Sequence, residues 1–324
     1  MTRRPLHIAH RGGTGLWPEN TMTAFEHAIA DGADGIELDV HLSRDGVLVV
    51  HHDESLKPAI ARGPDGAWLT RPTPLVKDLD FDDLQAYDIG RLKPGSGYGA
   101  RYPEQRPFDG ARIPKLEDVI DLVQAHAPPG FRLYIELKTA LLDLSQSAQP
   151  DALATAAVEL VRKKKFEEQT WFVSFDWRAL AHAKKLAPEI KNAFTTPGFY
   201  SLDPADPSKA HDNEAAARIR AASSAGADWM AGFDWRAQDG ETFAHKMLQA
   251  ITSKSGDRAP ADGWFAWYGD VTEQTAGWAG ELDLAVGCWT VDKPDDMKRL
   301  AAFHVEAILT DRLDVLNQTL SSEE

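Results

Sequence analysis

A single cysteine, Cys288, stands among 324 residues, so the chain cannot form an internal disulfide and does not need an oxidising compartment to fold. Long apolar runs are scarce too. None approaches the ~20 residues of a membrane span. The first such run, 6–9, is too short for a signal-peptide core and is broken at once by His-Arg-Gly-Gly. Positive charge is in deficit: 35 Lys and Arg against 50 Asp and Glu leave a formal charge of −15. The basic face of a nucleic-acid binder is therefore not expected. The one short basic run, Arg162-Lys163-Lys164-Lys165, ends a helical pattern, where cations complement the helix dipole. Internal repeats and low-complexity linkers are absent. The expectation is a cytoplasmic protein without stable membrane insertion and without a nucleic-acid partner.

A hydrophobic content of 43% supports a real core. Strand-like runs at 6–9, 35–40, 131–137, 170–175, 192–196, 228–232, 284–290 and 307–310 alternate with helical patterns at 21–31, 116–126, 151–166, 176–187, 214–226 and 293–303. Strands alternating with helices imply a parallel sheet, and eight is the number that closes a (β/α)₈ barrel. A ninth run, 47–50, follows residue 40 too closely for a parallel crossover. With turn chemistry in Ser43-Arg44-Asp45-Gly46, it reads as a hairpin that continues strand two above the barrel rim. Two segments exceed ordinary connection lengths. Residues 54–112 read as an insertion at the barrel mouth, and 233–283 as an extended, aromatic-rich connection before strand seven. Their aromatics either wall a site or build small satellite cores. The whole of 1–324 is expected to form one domain.

Charged residues gather at the predicted strand ends. Glu37 and Asp39 lie two apart on a strand and so share a face. Two like charges side by side are costly to bury unless a cation sits between them. The next barrel strand ends in Glu136-Leu137-Lys138, which is either a structural Glu/Lys network or a third carboxylate with a cation beside it. Three carboxylates suit a hard divalent ion such as Mg²⁺ or Ca²⁺. Strand one ends in His10-Arg11-Gly12-Gly13, where arginine offers a planar fork for phosphate or carboxylate and the glycines permit close backbone approach. The rim hairpin carries His52 back over Glu37 and Asp39. Trp289, near the end of strand seven, is a substrate wall or a core residue, and Thr310-Asp311-Arg312, closing strand eight, either contributes to the mouth or, as the preferred reading, starts a capped helix. A cation, Arg11, Lys138, His10 and His52 at one barrel mouth form the set that phosphodiester cleavage needs. The cation polarises non-bridging oxygens, and the histidines remove one proton and deliver another.

Taken together, these pieces resemble the glycerophosphodiester phosphodiesterase family. The matching stretches are Ala9-His10-Arg11-Gly12, Pro18-Glu19-Asn20-Thr21, Gly32 to Val40, Asp45 to Asp53, Ile113-Pro114-Lys115-Leu116-Glu117, Ile135-Glu136-Leu137-Lys138, Ser174-Phe175, Trp289-Thr290-Val291 and Thr310-Asp311-Arg312. The resemblance implies a TIM barrel with an insertion after His52-Asp53. It also implies metal ligation by Glu37, Asp39 and Glu136, catalysis by His10 and His52, and phosphate held by Arg11 and Lys138. The histidine directly before the aspartate is the family's, which leaves His51 a structural part. The implied reaction releases sn-glycerol 3-phosphate and an alcohol from a small-molecule phosphodiester. Head-group cleavage of lysophospholipid or sphingomyelin-type diesters is the alternative on the same barrel. Asp292 stands where the family's Trp-Thr-Val-Asn has asparagine, Ser43 where a turn threonine is common, and Leu313 where proline often follows Thr-Asp-Arg.

Overall fold

The computed structural model describes residues 4–199, 218–219, 221–222, 227–253 and 260–321. Among the described residues the sheet has nine strands: β1 (Leu6–His10), β2 (Gly35–Leu42), β3 (Leu48–Val50), β4 (Arg132–Leu137), β5 (Thr170–Ser174), β6 (Lys191–Thr196), β7 (Gly263–Trp267), β8 (Ala285–Trp289) and β9 (Ala307–Thr310). Every pairing is parallel except β2–β3, and β1 pairs with both β2 and β9, which closes eight strands into a TIM barrel. β3 is the expected hairpin: Val40 faces Val50 and Leu42 faces Leu48 in antiparallel register.

Two layers account for the strand sequences. Ile36, Leu38 and Val40 of β2, with Leu133, Ile135 and Leu137 of β4, pack outward into the core shared with the helices. Leu6, Ile8, Tyr134, Trp171, Val173, Phe265 and Leu309 fill the barrel interior, where Tyr134 stacks between Trp171 and Phe265. A strand buried on both faces reads as a continuous apolar run, so polar residues on such strands mark the ends where the interior opens. The helix Met22–Ala30 is capped by Thr21, whose hydroxyl accepts from Ala24 N at 3.2 Å. The helix Pro150–Lys164 ends in the basic run, which pairs with surface acids: Arg162 with Glu189, Lys163 with Glu117 and Lys164 with Asp121.

Two expectations fail together. Residues 228–232 are not a strand: Asp228–Met230 is a single 3₁₀ turn, and Ala231 follows it at φ 52°. Trp229 is buried edge-on against Trp177, at 5.6 Å between rings. The sixth barrel strand is β7 instead, inside the segment expected to be a connection. Short apolar runs do not distinguish a strand from a buried turn, and Gly-Trp-Phe-Ala-Trp is flanked by loop-like residues. The stretch 233–283 thus holds the helix Phe243–Thr252, β7 and the helix Glu273–Glu281, not a loop before strand seven. Its aromatics serve mainly as core. Trp264 is fully buried against Phe199, and Trp278 stacks on His245. The long connection runs from β6 to β7. The helix expected at 214–226 falls almost entirely outside the described residues. No helix among the described residues is long and apolar enough to cross a membrane.

Residues 54–112 form the expected insertion. Leu56, Ile60, Ala61, Val76, Leu84 and Ile89 make its own small core with Val49 and Ile113. It is tied to the loop after β1 by Arg106 N donating to Leu16 O (2.8 Å) and by the Gln105 amide donating to Thr14 O (2.8 Å). Arg106 also lies over Trp17, which stacks on His27 of the first helix.

Candidate active site

Strand register assembles the acidic cluster. His10 pairs with Glu37 across β1–β2, and Asp39 with Glu136 across β2–β4. Because Ile36, Leu38 and Val40, the even-numbered neighbours of Glu37 and Asp39, pack outward, alternation turns both carboxylates inward. Glu136 turns inward on β4 by the same rule. Carboxylate oxygens of Glu37, Asp39 and Glu136 all lie within 4.8 Å of one another, a group that could hold a metal ion.

The loop after β1 supports this cluster through unusual backbone. Arg11, Gly12 and Gly13 have φ of 52°, 85° and 96°, a left-handed run that folds the chain back under the barrel mouth. It aims Arg11 N at Glu37 Oε2 (3.2 Å). A Cβ on Gly12 would meet Ala24 Cβ at 2.7 Å. Gly12→Ala should accordingly destabilise the fold by about 2–4 kcal/mol, from combined overpacking and backbone strain. Denaturant unfolding measures this, and a change under about 0.5 kcal/mol would contradict the account. The Arg11 guanidinium donates to Glu19 Oε1 (3.0 Å) and lies 3.2 Å from Asp39 Oδ2. Asn20, also left-handed at φ 55°, donates its amide to Asp39 Oδ2 at 2.8 Å. Lys138 completes the set, with Nζ donating to Glu136 Oε1 (2.9 Å) and lying 3.5 Å from Asp39 Oδ1.

The electrostatics fit a cation. Burial and the neighbouring Asp39 charge raise the Glu37 carboxyl above its ordinary range. Burial also opposes ionisation of Asp39, but Arg11, His52 and Lys138 outweigh it and hold that carboxyl low. Asp39 Oδ1 is buried and accepts no hydrogen bond. One buried carboxylate is held toward its ionised form while its neighbour resists ionising, a pair whose chemistry fits a cation.

Both histidines at the mouth are oriented by carboxylates. His10 Nδ1 bonds Asp311 Oδ1 at 2.6 Å, and Nε2 lies 3.8 Å from Glu37 Oε2. Burial works against a charged His10 ring, yet Asp311 outweighs it and lifts the pKa to about 9. His52 Nδ1 bonds Asp53 Oδ1 at 2.9 Å, and Lys57 holds the other Asp53 oxygen at 2.9 Å. His41, kept neutral by burial with its pKa lowered to about 3, donates from Nε2 to the His52 carbonyl at 3.1 Å. His51 is buried and lies off the cavity wall.

These groups line one cavity of about 510 Å³ at the C-terminal mouth of the barrel. Trp289 stands on its wall, with Nε1 donating to Phe265 O (3.2 Å) and its ring edge-on to Phe175 at 5.3 Å. All the sequence-predicted residues therefore meet: His10, Arg11, Glu37, His52, Glu136, Lys138 and Trp289 line the cavity, and Asp39 lies directly behind them. Several supporting residues escaped the sequence reading. Asp311 is no mere helix cap, since it orients His10 and accepts from Tyr102 OH at 3.2 Å. Asp292 in turn accepts from Asp311 N and Thr310 Oγ1. From the insertion, Tyr98 donates its hydroxyl to Glu19, the partner of Arg11. Strand-end position was the available signal for Asp311, because β9 closes the barrel beside β1.

Comparison with known proteins places this architecture. Residues 10–315 match the glycerophosphoryl diester phosphodiesterase family profile. A glycerophosphodiester phosphodiesterase of Caldanaerobacter subterraneus is 33% identical over 188 residues, covering 58% of this chain and 65% of that one. Matches to such curated relatives span about 65% of the relatives' length. A crystal structure from Silicibacter pomeroyi, described by the same family name, is 26% identical with a TM-score of 0.81, covering 100% of this chain and 95% of its own. An Oleispira antarctica phosphodiesterase in complex with the product sn-glycerol-3-phosphate shares the fold at 20% identity and a TM-score of 0.63, over 98% of this chain and 97% of its own. The chain belongs to the glycerophosphoryl diester phosphodiesterase family.

Proposed function

We propose that this protein hydrolyses glycerophosphodiesters to sn-glycerol 3-phosphate and an alcohol. The observation that carries the reading is the meeting of three carboxylates, two carboxylate-oriented histidines and two part-buried cations in one cavity. Glu37, Asp39 and Glu136 would hold a divalent cation, Mg²⁺ or Ca²⁺ by the hardness of an all-oxygen set. Such an ion supplies Lewis acidity toward a phosphate oxygen and the charge that the Glu37–Asp39 pair needs.

The chain's own side chains do the remainder. Arg11 and Lys138 bring positive charge to the non-bridging oxygens. Burial works against the charge on Lys138, but Glu136 and Asp39 outweigh it and keep the ammonium protonated. His10 and His52 each have Nδ1 fixed by an aspartate, which leaves Nε2 to exchange protons. One ring takes the proton of the attacking hydroxyl and the other delivers a proton to the departing alcohol. Trp289 and Phe175 present an apolar wall to the organic part of the substrate. The Oleispira antarctica complex supports the product assignment.

The test is an assay across glycerophosphodiesters with added Mg²⁺ or Ca²⁺. Equal amounts of sn-glycerol 3-phosphate and free alcohol are expected. Release of glycerol with a phosphorylated alcohol, or no turnover across the panel, would overturn the reading.

A further inference from the structure

We propose that Arg101 selects substrates whose alcohol carries an anionic group, an inference that rests on the reaction proposed above. Arg101 ends the 3₁₀ turn Gly99–Arg101 of the insertion and lines the same cavity as His10, His52 and Glu136. Its guanidinium lies 5.5 Å from the ring centres of both Tyr98 and Tyr102. Those rings meet edge to face at 5.4 Å. Their hydroxyls are tied to Glu19 and Asp311, so the platform is anchored to the site it overlooks.

The other cations on the cavity wall are committed: Arg11 to Glu19, Lys57 to Asp53 and Lys138 to Glu136. Among the described residues the Arg101 side chain has no hydrogen bond or ion pair, only the two rings. A guanidinium stacked on aromatic faces keeps its planar fork free for a carboxylate or phosphate. The phosphate of the substrate is accounted for deeper in the cavity, by Arg11 and Lys138. What reaches the rim is the alcohol. An uncommitted guanidinium at the rim favours an alcohol bearing an anion over one bearing only a quaternary ammonium.

Glycerophosphoserine and glycerophosphoethanolamine differ by one carboxylate and make a matched pair. The wild-type protein should favour the serine diester in kcat/KM by about tenfold, the scale of one charge-assisted contact. In Arg101→Gln the ratio should fall close to one, with the larger loss of kcat/KM on the serine diester. Arg101→Lys should keep part of the preference. A wild-type ratio near one, an unchanged ratio in Arg101→Gln, or an equal fall for both substrates would overturn the proposal. Calorimetric binding of O-phosphoserine and phosphoethanolamine reads the same preference without hydrolysis. A preference lost in Arg101→Gln supports the assignment even if neither diester is cleaved, in which case only the proposed reaction fails. Equal binding of the two compounds by the wild type refutes it.

Discussion

Exhaustive chelation should abolish hydrolysis of glycerophosphodiesters by this protein, and Mg²⁺ or Ca²⁺ should restore it. The expectation follows from electrostatics as much as from ligand geometry. Glu37 and Asp39 lie two residues apart on one inward strand face, with Glu136 beside them, and all three reach within 4.8 Å of one another. Without a cation, Glu37 is held protonated above its ordinary range by burial and by Asp39. In that state the native protein binds a proton that the unfolded chain has lost. Metal-free stability should therefore fall as pH rises above the ordinary glutamate range toward the raised Glu37 value. A bound cation removes this penalty by favouring the carboxylate. The gain in Tm on adding metal should thus be larger at pH 8 than at pH 5, with proton release on binding at the lower end of that window. Thermal unfolding at both pH values and calorimetry in buffers of different ionisation heat measure this. Full activity after chelation, or a metal-induced Tm shift that ignores pH, would refute the assignment.

Replacing His10 or His52 by alanine should lower kcat by about 10²- to 10⁴-fold, the range for loss of a positioned acid or base. His52 lies beyond the end of β3 and is partly exposed, so its loss should change Tm little; loss of His10 strands the buried Asp311 and should lower Tm, while circular dichroism keeps the folded signal in both variants. The two variants should separate on leaving groups. A diester of an acidic phenol needs no proton delivered to its oxygen, so the variant lacking the general acid should recover most of its rate on that substrate. The variant lacking the base should not recover. Comparable, unrescued losses would mean that neither ring donates to the leaving oxygen. Near-wild-type rates in either variant would remove that histidine from the reaction.

The inward-facing carboxylates were legible because strand alternation and barrel count are both written in apolar spacing. Ile36, Leu38 and Val40 alternate with Glu37 and Asp39, and Gly46 marks the hairpin turn that returns His52 to the mouth. The sixth strand was not legible. Trp229-Met230 and Trp264-Phe265 are equally apolar short runs, and only tertiary packing makes one a turn and the other a strand. Support across long sequence separations was hidden as well. Tyr98 acts on Arg11 through Glu19, and Asp311 meets His10 301 positions away, pairings that no local pattern encodes.

The insertion leaves the barrel immediately after Asp53 and returns beside the strand it left: Val50 N donates to Pro114 O at 2.9 Å, and Val49 pairs with Lys115. Its two ends are thus already held together by that pairing, and its length imposes nothing on the barrel's closure. Residues 54–112 form an exchangeable cassette, open to replacement by a loop of another size or rim chemistry without rerouting any strand. Two conditions travel with the exchange. A graft has to deliver hydroxyls to Glu19 and Asp311 in place of Tyr98 and Tyr102, because the supports of Arg11 and His10 are partly borrowed from the cassette.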